Sequence, residues 1–150
     1  MVDKIDGQGR ILGYQEFDQY KHGHPEESYF RWATLLDCRG DLRIHSTARF
    51  GYRVNILTAS HAYDERGMGR QMRRTVWIDE HAWVATGATL YHCWIQEHAI
   101  VGAGAVVKNV VVPAWSLAEG NPAKVVGGWD AEKGRYVKWP KEEWKEMKGF

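Results

Sequence analysis

His61 is the residue whose type and setting point most directly to chemistry. It closes the stretch NILTASH, and the chain beyond it, AYDERGMGRQMRRTVW, is dotted with glycine and rich in charge. Imidazole titrates near neutral pH, so a histidine can accept a proton, ligate a metal or form a surface contact. Its immediate neighbours leave three roles open, which are packing or subunit contact, metal binding and general-base catalysis.

The elements that must position His61 are short repeats of six residues. From residue 44 onward the sequence divides into nine units that each open on an aliphatic residue or phenylalanine: Ile44, Phe50, Ile56, Ile78, Val84, Leu90, Ile95, Val101 and Val107. The fifth place is usually small, as in Ala48, Ala82, Ala88, Ala99 and Ala105. Two units depart from the pattern. Residues 90–94 are one residue short, and residues 107–112 carry the larger Val111 in the fifth place.

A period of six fits neither an α-helix nor a plain alternating strand. It is typical of short strands separated by corners, with three units completing one coil of a triangular prism. Successive coils then stack at about 4.8 Å through parallel-sheet hydrogen bonds. We therefore expect an all-β fold, a parallel β-helix, in which the opening residue of each unit points into the prism.

The repeat is interrupted between His61 and Ile78. Residues 62–77 cannot lie inside the prism, and we predict that they form a loop leaving one corner. Loops held on a rigid scaffold are where functional sites concentrate. A tolerated surface insertion is the alternative.

The remaining segments are predicted to cover the two ends of one domain. Residues 1–43 form an N-terminal cap with the first strands, residues 44–128 form the coils, and residues 129–150 form a tail. A solenoid needs such covers because its end coils expose backbone groups and apolar interior.

Helices are possible in both covers. In the tail, Trp144 and Met147 follow Pro140 with the spacing of a short amphipathic helix. In the N-terminal cap an apolar helical stripe can be drawn, and a strand entering the prism is equally compatible with its later part. The residues of that stripe are Tyr29, Trp32, Ala33 and Leu36.

Composition excludes several classes of protein. The 150 residues suggest one domain, and the formal net charge of +1 gives no reason to expect a nucleic-acid partner. No apolar run is long enough to span a bilayer, and the first residues lack a secretory signal, so we expect a cytoplasmic location. Cys38 and Cys93 form no close pair, which argues against a disulfide framework or a cysteine zinc site.

Three strings resemble the left-handed β-helix, or hexapeptide-repeat, acetyltransferases: TASHAYD, VWIDEHAWVATGATL and HAIVGAGAVVKNVVVPAWSLAEGNPAKVVGG. The branch they are most similar to contains maltose, galactoside and colanic-acid-type O-acetyltransferases, and the resemblance covers about residues 44–128. It implies a left-handed coil and a homotrimer with its sites in clefts between neighbouring prisms. It also implies transfer of acetyl from acetyl-CoA to a hydroxyl, commonly of a sugar, and we expect no metal. From the composition we expect neither a nucleic acid nor a membrane as partner.

The resemblance places His61 at the position of the catalytic histidine. A sugar hydroxyl is a poor nucleophile near neutral pH, so a general base must take its proton as it attacks the thioester. Imidazole titrates in the range that this role requires. Backbone N–H groups of the cleft would stabilise the oxyanion that forms.

The coenzyme site implied by the resemblance lies along a groove between two prisms. Backbone groups at Ala85, Thr86, Gly102 and Ala103 match the positions that touch the pantetheine arm, and small residues there let the arm approach. Lys108 and Lys124 match basic residues near the CoA phosphates, or they are solvated surface charges. Trp83 either flanks the groove or packs between subunits.

The acceptor contacts implied by the resemblance surround His61. Asn55, Tyr63 and Asp64 could bond acceptor hydroxyls, and Asp64 could instead orient the imidazole or hold the loop. Arg73 and Arg74 either meet an anionic acceptor, such as a nucleotide sugar or acidic glycan, or are solvated.

Other functions remain open on the same prism. N-acetylation of an amino sugar and modification of an antibiotic would use the same fold. The γ-type carbonic anhydrases bind zinc through histidines between subunits, and here His81 and His98 occupy the fourth place of units one coil apart, so we expect them to stack. A non-catalytic binding protein on the same scaffold is a further alternative.

Overall fold

The computed structural model describes residues 2–4 and 34–150 of the chain. The strands, in chain order, are β1 Val2–Lys4, β2 Leu35–Leu36, β3 Asp41–His45, β4 Arg49–Phe50, β5 Asn55–Leu57, β6 Ala59–His61, β7 Gln71–Arg73, β8 Thr75–Ile78, β9 Trp83–Val84, β10 Thr89–Tyr91, β11 Cys93–Ile95, β12 Ile100–Val101, β13 Val106–Lys108, β14 Val111–Val112, β15 Ser116–Gly120, β16 Ala123–Asp130 and β17 Arg135–Lys138. A single 3₁₀ turn covers Lys141–Glu143, and no other helix occurs in residues 34–150.

The short strands stack into three parallel columns, as the repeat predicts. One face holds β3, β8, β11 and β14, a second holds β2, β5, β10 and β13, and the third holds β4, β9, β12 and β15. Equivalent residues of successive coils pair directly: Ile44 with Ile78, Ile78 with Ile95, and Ile95 with Val112. The predicted parallel β-helix is confirmed.

The opening residue of every predicted unit is buried. All nine lie between 0% and 3% exposed: Ile44, Phe50, Ile56, Ile78, Val84, Leu90, Ile95, Val101 and Val107. They stack down the axis of the prism as one continuous core. Truncating one such aliphatic to alanine typically costs about 2–5 kcal/mol, so this column is the main source of stability.

The corners explain the fifth-place residues and correct one unit. The alanines predicted to be small for a corner are fully buried there. However, Val112 pairs with Ile95 and opens the next unit, so the predicted six-residue unit 107–112 is wrong and the unit ends at Val111. Both five-residue units turn through one residue with positive φ, His92 at 45° and Asn109 at 59°.

The C-terminal tail is extended, and the predicted amphipathic helix is wrong. Strands β16 and β17 add antiparallel to β15, and the segment after the 3₁₀ turn forms bridges between Val125 and Lys145 and between Val110 and Gly149. The last coil leaves strand edges whose N–H and C=O groups need partners. An extended tail satisfies them, for example through the Val111 N–H donating to the Lys148 carbonyl at 2.8 Å.

The N-terminal cap is described only in part. Leu36 lies in β2, which pairs with β5 as the first parallel rung of its face. Thus the strand alternative holds at this position. Tyr29, Trp32 and Ala33 lie outside the described residues. Strand β1 pairs antiparallel with β3. Among the described residues, no helix is long and apolar enough to cross a membrane.

Candidate active site

His61 lies on a β-hairpin that projects from one corner of the prism. The predicted loop bounds of 62–77 are wrong, because the excursion leaves the coil at Thr58 and the coil resumes at Thr75. The chain runs out along β6 and returns along β7, with His61 paired to Gln71. The Ala62 N–H donates to the Arg70 carbonyl at 2.9 Å, which extends the ladder by one further bond. We call residues 59–73 the His61 hairpin.

A buried hydroxyl anchors the base of the His61 hairpin. Thr58 is 0% exposed. Its hydroxyl accepts a hydrogen bond from the Gly40 N–H at 2.9 Å and donates to the Asp37 carbonyl. The Thr58 carbonyl accepts from the Arg74 N–H at 2.7 Å. The Asp41 N–H also donates to the Arg74 carbonyl at 3.1 Å, so the hairpin is tied to the preceding coil at both of its strands. This gives His61 a fixed platform.

The carboxylate of Asp37 belongs to the same anchor. Burial acts to raise the pKa of Asp37, but hydrogen bonds from Arg39 and from the Thr58 N–H outweigh it and hold the pKa below its ordinary value. Asp37 is therefore ionised near neutral pH.

The tip of the His61 hairpin is held by its own ion pair. The Arg66 guanidinium donates to the Asp64 carboxylate at 2.8 Å, and this hydrogen bond lowers the pKa of Asp64. Of the two alternatives to an acceptor contact for Asp64, the structure shows the loop-holding contact. Tyr63 is 89% exposed and extends into solvent beside it.

The imidazole of His61 is half-buried and unpartnered. Within the described residues it makes no hydrogen bond or ion pair. Paired residues of an antiparallel ladder project from the same face, and residues two apart share that face. His61, Gln71 and Arg73 therefore project together, with Arg73 diagonal to His61.

The predicted pantetheine contacts gather at a different corner of the prism. Residues 51–54, 85–88 and 102–105 form its successive levels, with the Gly104 N–H donating to the Thr86 carbonyl at 2.9 Å. Thr86 and Ala103 are exposed there. Gly102 is buried, and a Cβ on it would lie 2.5 Å from Glu119 Cγ. Its missing side chain therefore serves the coil itself, whereas Thr86 and Ala103 face outward. We call this the small-residue corner.

The three other predicted coenzyme contacts are dispersed. Lys124 forms an ion pair with Glu146 at 2.8 Å and sits beside Glu119 at the C-terminal side of the small-residue corner. Lys108 extends over the Tyr91 ring, 5.7 Å from its centroid, at the edge of its face nearer the His61 hairpin. Trp83 is half-exposed on the outer surface of β9.

A single protomer does not unite His61 with the small-residue corner. The face made of β2, β5, β10 and β13 lies between them, and β5 runs from one corner to the other. A three-residue strand is about 10 Å long. Asn55 stands at the small-residue end of β5, apart from Tyr63 and Asp64 on the hairpin.

The chain is similar in sequence to a known protein and in fold to several solved structures. No protein-family model matches the chain. Nodulation protein L of Rhizobium leguminosarum bv. viciae is 48% identical over 80 residues, which is 52% of this chain and 42% of that protein. The chain thus matches less than half of that relative's length.

Solved structures share the coil. A maltose O-acetyltransferase from Clostridium difficile superposes with a TM-score of 0.58 at 24% identity, covering 69% of this chain and 58% of that one. A hexapeptide-repeat acetyltransferase from Vibrio cholerae gives 0.56 at 20% identity, over 69% and 63%. A mutant of the N-acyltransferase AntD from Bacillus cereus, in complex with dTDP-4-amino-4,6-dideoxyglucose and coenzyme A, gives 0.57 at 16% identity, over 76% and 61%.

The chain shares the hexapeptide-repeat coil of these transferases. The resemblance read from its sequence is confirmed, and the shared coil gives this hexapeptide-repeat protein the same scaffold of stacked corners.

The predicted histidine stack is present on this hexapeptide-repeat protein. The rings of His81 and His98 lie 4.9 Å apart at the third corner. The column continues, because His98 stacks on Trp115 at 3.9 Å and Trp115 contacts Trp129 at 5.8 Å. The 17-residue spacing of positions 81, 98 and 115 was visible in the sequence and would have revealed the column. No group of three His, Cys, Asp or Glu in the described part of the chain is arranged to hold a metal ion.

A cleft with no motif in the sequence lies at the base of the His61 hairpin of this hexapeptide-repeat protein. It measures about 380 Å³ and is lined by Arg39, Gly40, Asp41, Arg73, Arg74 and Thr75. Residues 39–41 precede the first recognised repeat, so no motif connects them to the hairpin. Coil stacking alone brings the two segments together.

Proposed function

We propose that this hexapeptide-repeat protein is an acetyl-CoA-dependent O-acetyltransferase that acts on a hydroxyl of a saccharide, with His61 as general base. The observation that carries the proposal is an unpartnered, half-buried imidazole on an anchored hairpin. The hairpin projects from a coil that this protein shares with a maltose O-acetyltransferase.

The proposed reaction assigns one proton transfer to His61. The imidazole takes the hydroxyl proton as the acceptor oxygen bonds to the thioester carbon. The resulting oxyanion collapses with loss of the CoA sulfur, and the imidazolium returns the proton to that sulfur. General-base assistance of this kind contributes about 10²–10⁴-fold to the rate.

The small-residue corner suits the coenzyme because some of its backbone groups are free. The N–H groups of Ala85 and Gly102 donate within the coil, at 2.8 Å to the carbonyls of Val101 and Ala118. Those of Thr86 and Ala103 donate to no group in the described residues. Since both residues are exposed, their N–H groups are available to the amide oxygens of a pantetheine arm. Coenzyme A is bound by the related AntD structure.

The separation of His61 from the small-residue corner supports a site completed by a second protomer. We infer a homotrimer in which the His61 hairpin of one protomer meets the small-residue corner of its neighbour. A head-to-tail contact of this kind repeats around a closed ring and creates one cleft per interface.

The proposal is tested by replacing the base. We expect His61→Ala to lower kcat for acetyl transfer by about 10²–10⁴-fold, because the variant lacks the proposed general base. Free thiol release from acetyl-CoA is followed with a saccharide panel, and mass spectrometry detects the acetylated product.

The matched control is His81→Ala, which removes an exposed histidine from another corner. This variant should retain wild-type turnover, and both variants should keep the wild-type circular dichroism and oligomeric mass. Wild-type turnover in His61→Ala would contradict the assignment.

A further inference from the structure

The charge around the cleft at the base of the His61 hairpin is unbalanced. Arg39 is neutralised by Asp37 through two bonds of 2.7 and 2.9 Å, and Arg43 lies 3.3 Å from Asp41. The Arg74 guanidinium donates to the Arg73 carbonyl at 3.1 Å and to the Met72 sulfur at 3.4 Å. Arg74 therefore contacts no carboxylate.

The side chain of Arg73 has no partner among the described residues. It is exposed, whereas Arg74 is half-buried. Two positive charges thus stand without a carboxylate partner at the mouth of a cleft of about 380 Å³. Ligand clefts are commonly about 300–1,000 Å³.

Arg73 is a close neighbour of His61, the proposed base. In the hairpin register Ala59 pairs with Arg73 and His61 with Gln71, so Arg73 occupies the diagonal position on the His61 face. Diagonal neighbours lie about 7–8 Å apart, within reach of a long side chain. One ligand can therefore contact both the guanidinium and the imidazole.

We propose that the acceptor is an anionic saccharide whose phosphate or carboxylate is bound by Arg73, while His61 deprotonates one of its hydroxyls. This rests on the proposed acetyl transfer. A planar guanidinium recognises both anions through two parallel N–H bonds, and the pair is stronger than a neutral hydrogen bond. Phosphate and carboxylate therefore present the same feature to Arg73, an oxyanion. We expect that oxyanion to be attached to the same sugar ring as the reacting hydroxyl.

Matched acceptors test the proposal. Initial rates of acetyl transfer are compared for a neutral hexose, its 1-phosphate and the corresponding uronic acid, using the wild-type protein, Arg73→Gln and Arg73→Lys. We expect the wild type to prefer a charged acceptor, and whether the phosphate or the uronate is preferred identifies the anion. Arg73→Gln should raise KM for that acceptor about tenfold or more, as loss of a charged hydrogen bond predicts. Its KM for acetyl-CoA should not change, and its KM for the neutral hexose should rise far less than its KM for the charged acceptor.

The control variant is Arg70→Gln, which removes the same charge from the same hairpin at a position that does not share the His61 face. It should leave acceptor preference unchanged. Arg73→Lys should recover part of the affinity, because it restores the charge without the planar fork.

Two results would overturn the inference. One is equal use of neutral and charged acceptors by the wild type. The other is an equal rise in KM for the neutral and the charged acceptor in Arg73→Gln. Neither result would contradict the proposed acetyl transfer. Binding of the hexose 1-phosphate and the uronic acid is also measured by calorimetry. If no acceptor is acetylated, the proposed function fails, and calorimetry still decides whether Arg73 binds the anion.

Discussion

At the scale of single residues, the proposed function depends on a histidine whose structural setting can be predicted only in part from the sequence. The motif around His61 predicts its place at the foot of an excursion, and the hairpin confirms that place. Its unpartnered imidazole and the diagonal Arg73 could not be predicted, because both follow from the pairing register of β6 and β7. Register depends on how the two strands meet, which residue types alone do not determine.

Asp79 offers a prediction about stability at the same scale. Burial raises the pKa of Asp79, opposed by a 2.7 Å hydrogen bond from the Trp94 indole N–H and assisted by the nearby Glu97 carboxylate. A raised pKa means that the folded state favours the neutral carboxyl. Its contribution to stability is therefore present below the ordinary pKa and is lost as pH rises through the folded pKa.

We expect Asp79→Asn to match the wild type near pH 4 and to be the more stable of the two at pH 7, because the amide still accepts from Trp94 and never ionises. Asp79→Ala should lose about 1–3 kcal/mol, since it leaves the indole N–H without its acceptor. Urea unfolding at both pH values measures the difference. An Asp79→Asn variant less stable than wild type at pH 7 would contradict this account.

At the scale of elements, the stability of the His61 hairpin depends on the Thr58 anchor at its base. The Thr58 hydroxyl joins the Gly40 N–H and the Asp37 carbonyl beneath the hairpin, where water cannot replace it. We expect Thr58→Val, which keeps the shape and removes the hydroxyl, to lower the unfolding free energy by about 1–3 kcal/mol and to reduce turnover.

Thr58→Ser supplies the control, since it keeps the hydroxyl and loses only a methyl group. Urea denaturation and acetyl-transfer rates of the two variants are compared. If Thr58→Val were as stable and as active as Thr58→Ser, the hairpin would not depend on this anchor.

The tail shows where element prediction from sequence reaches its limit. The spacing of Trp144 and Met147 suits a helix, yet the segment is extended and bridges Val110 and Val125. Local spacing carries no information about the unpaired edges of the last coil. By contrast, the aliphatic openers have the same environment in every coil, so their burial could be predicted for all nine units.

At the scale of the whole molecule, the division of the site between two corners is the central feature. The prism could be predicted from a period of six, and the two sets of residues from their motifs. The separation of these two sets by one face could not be predicted from the motifs, because it depends on which corner of the prism each motif occupies. We propose that a neighbouring protomer completes each cleft.

Mixed trimers test this proposal most directly. His61→Ala removes the base and leaves the small-residue corner intact, whereas Ala103→Trp fills the exposed corner and leaves the base intact. The two variants are co-expressed with different affinity tags, and trimers carrying both tags are purified. Each mixed trimer of either composition has one cleft in which an intact hairpin meets an intact corner. We therefore predict that each variant alone is inactive and that the mixed trimers regain about a third of wild-type turnover. Mixed trimers as inactive as either variant alone would contradict a site shared between protomers.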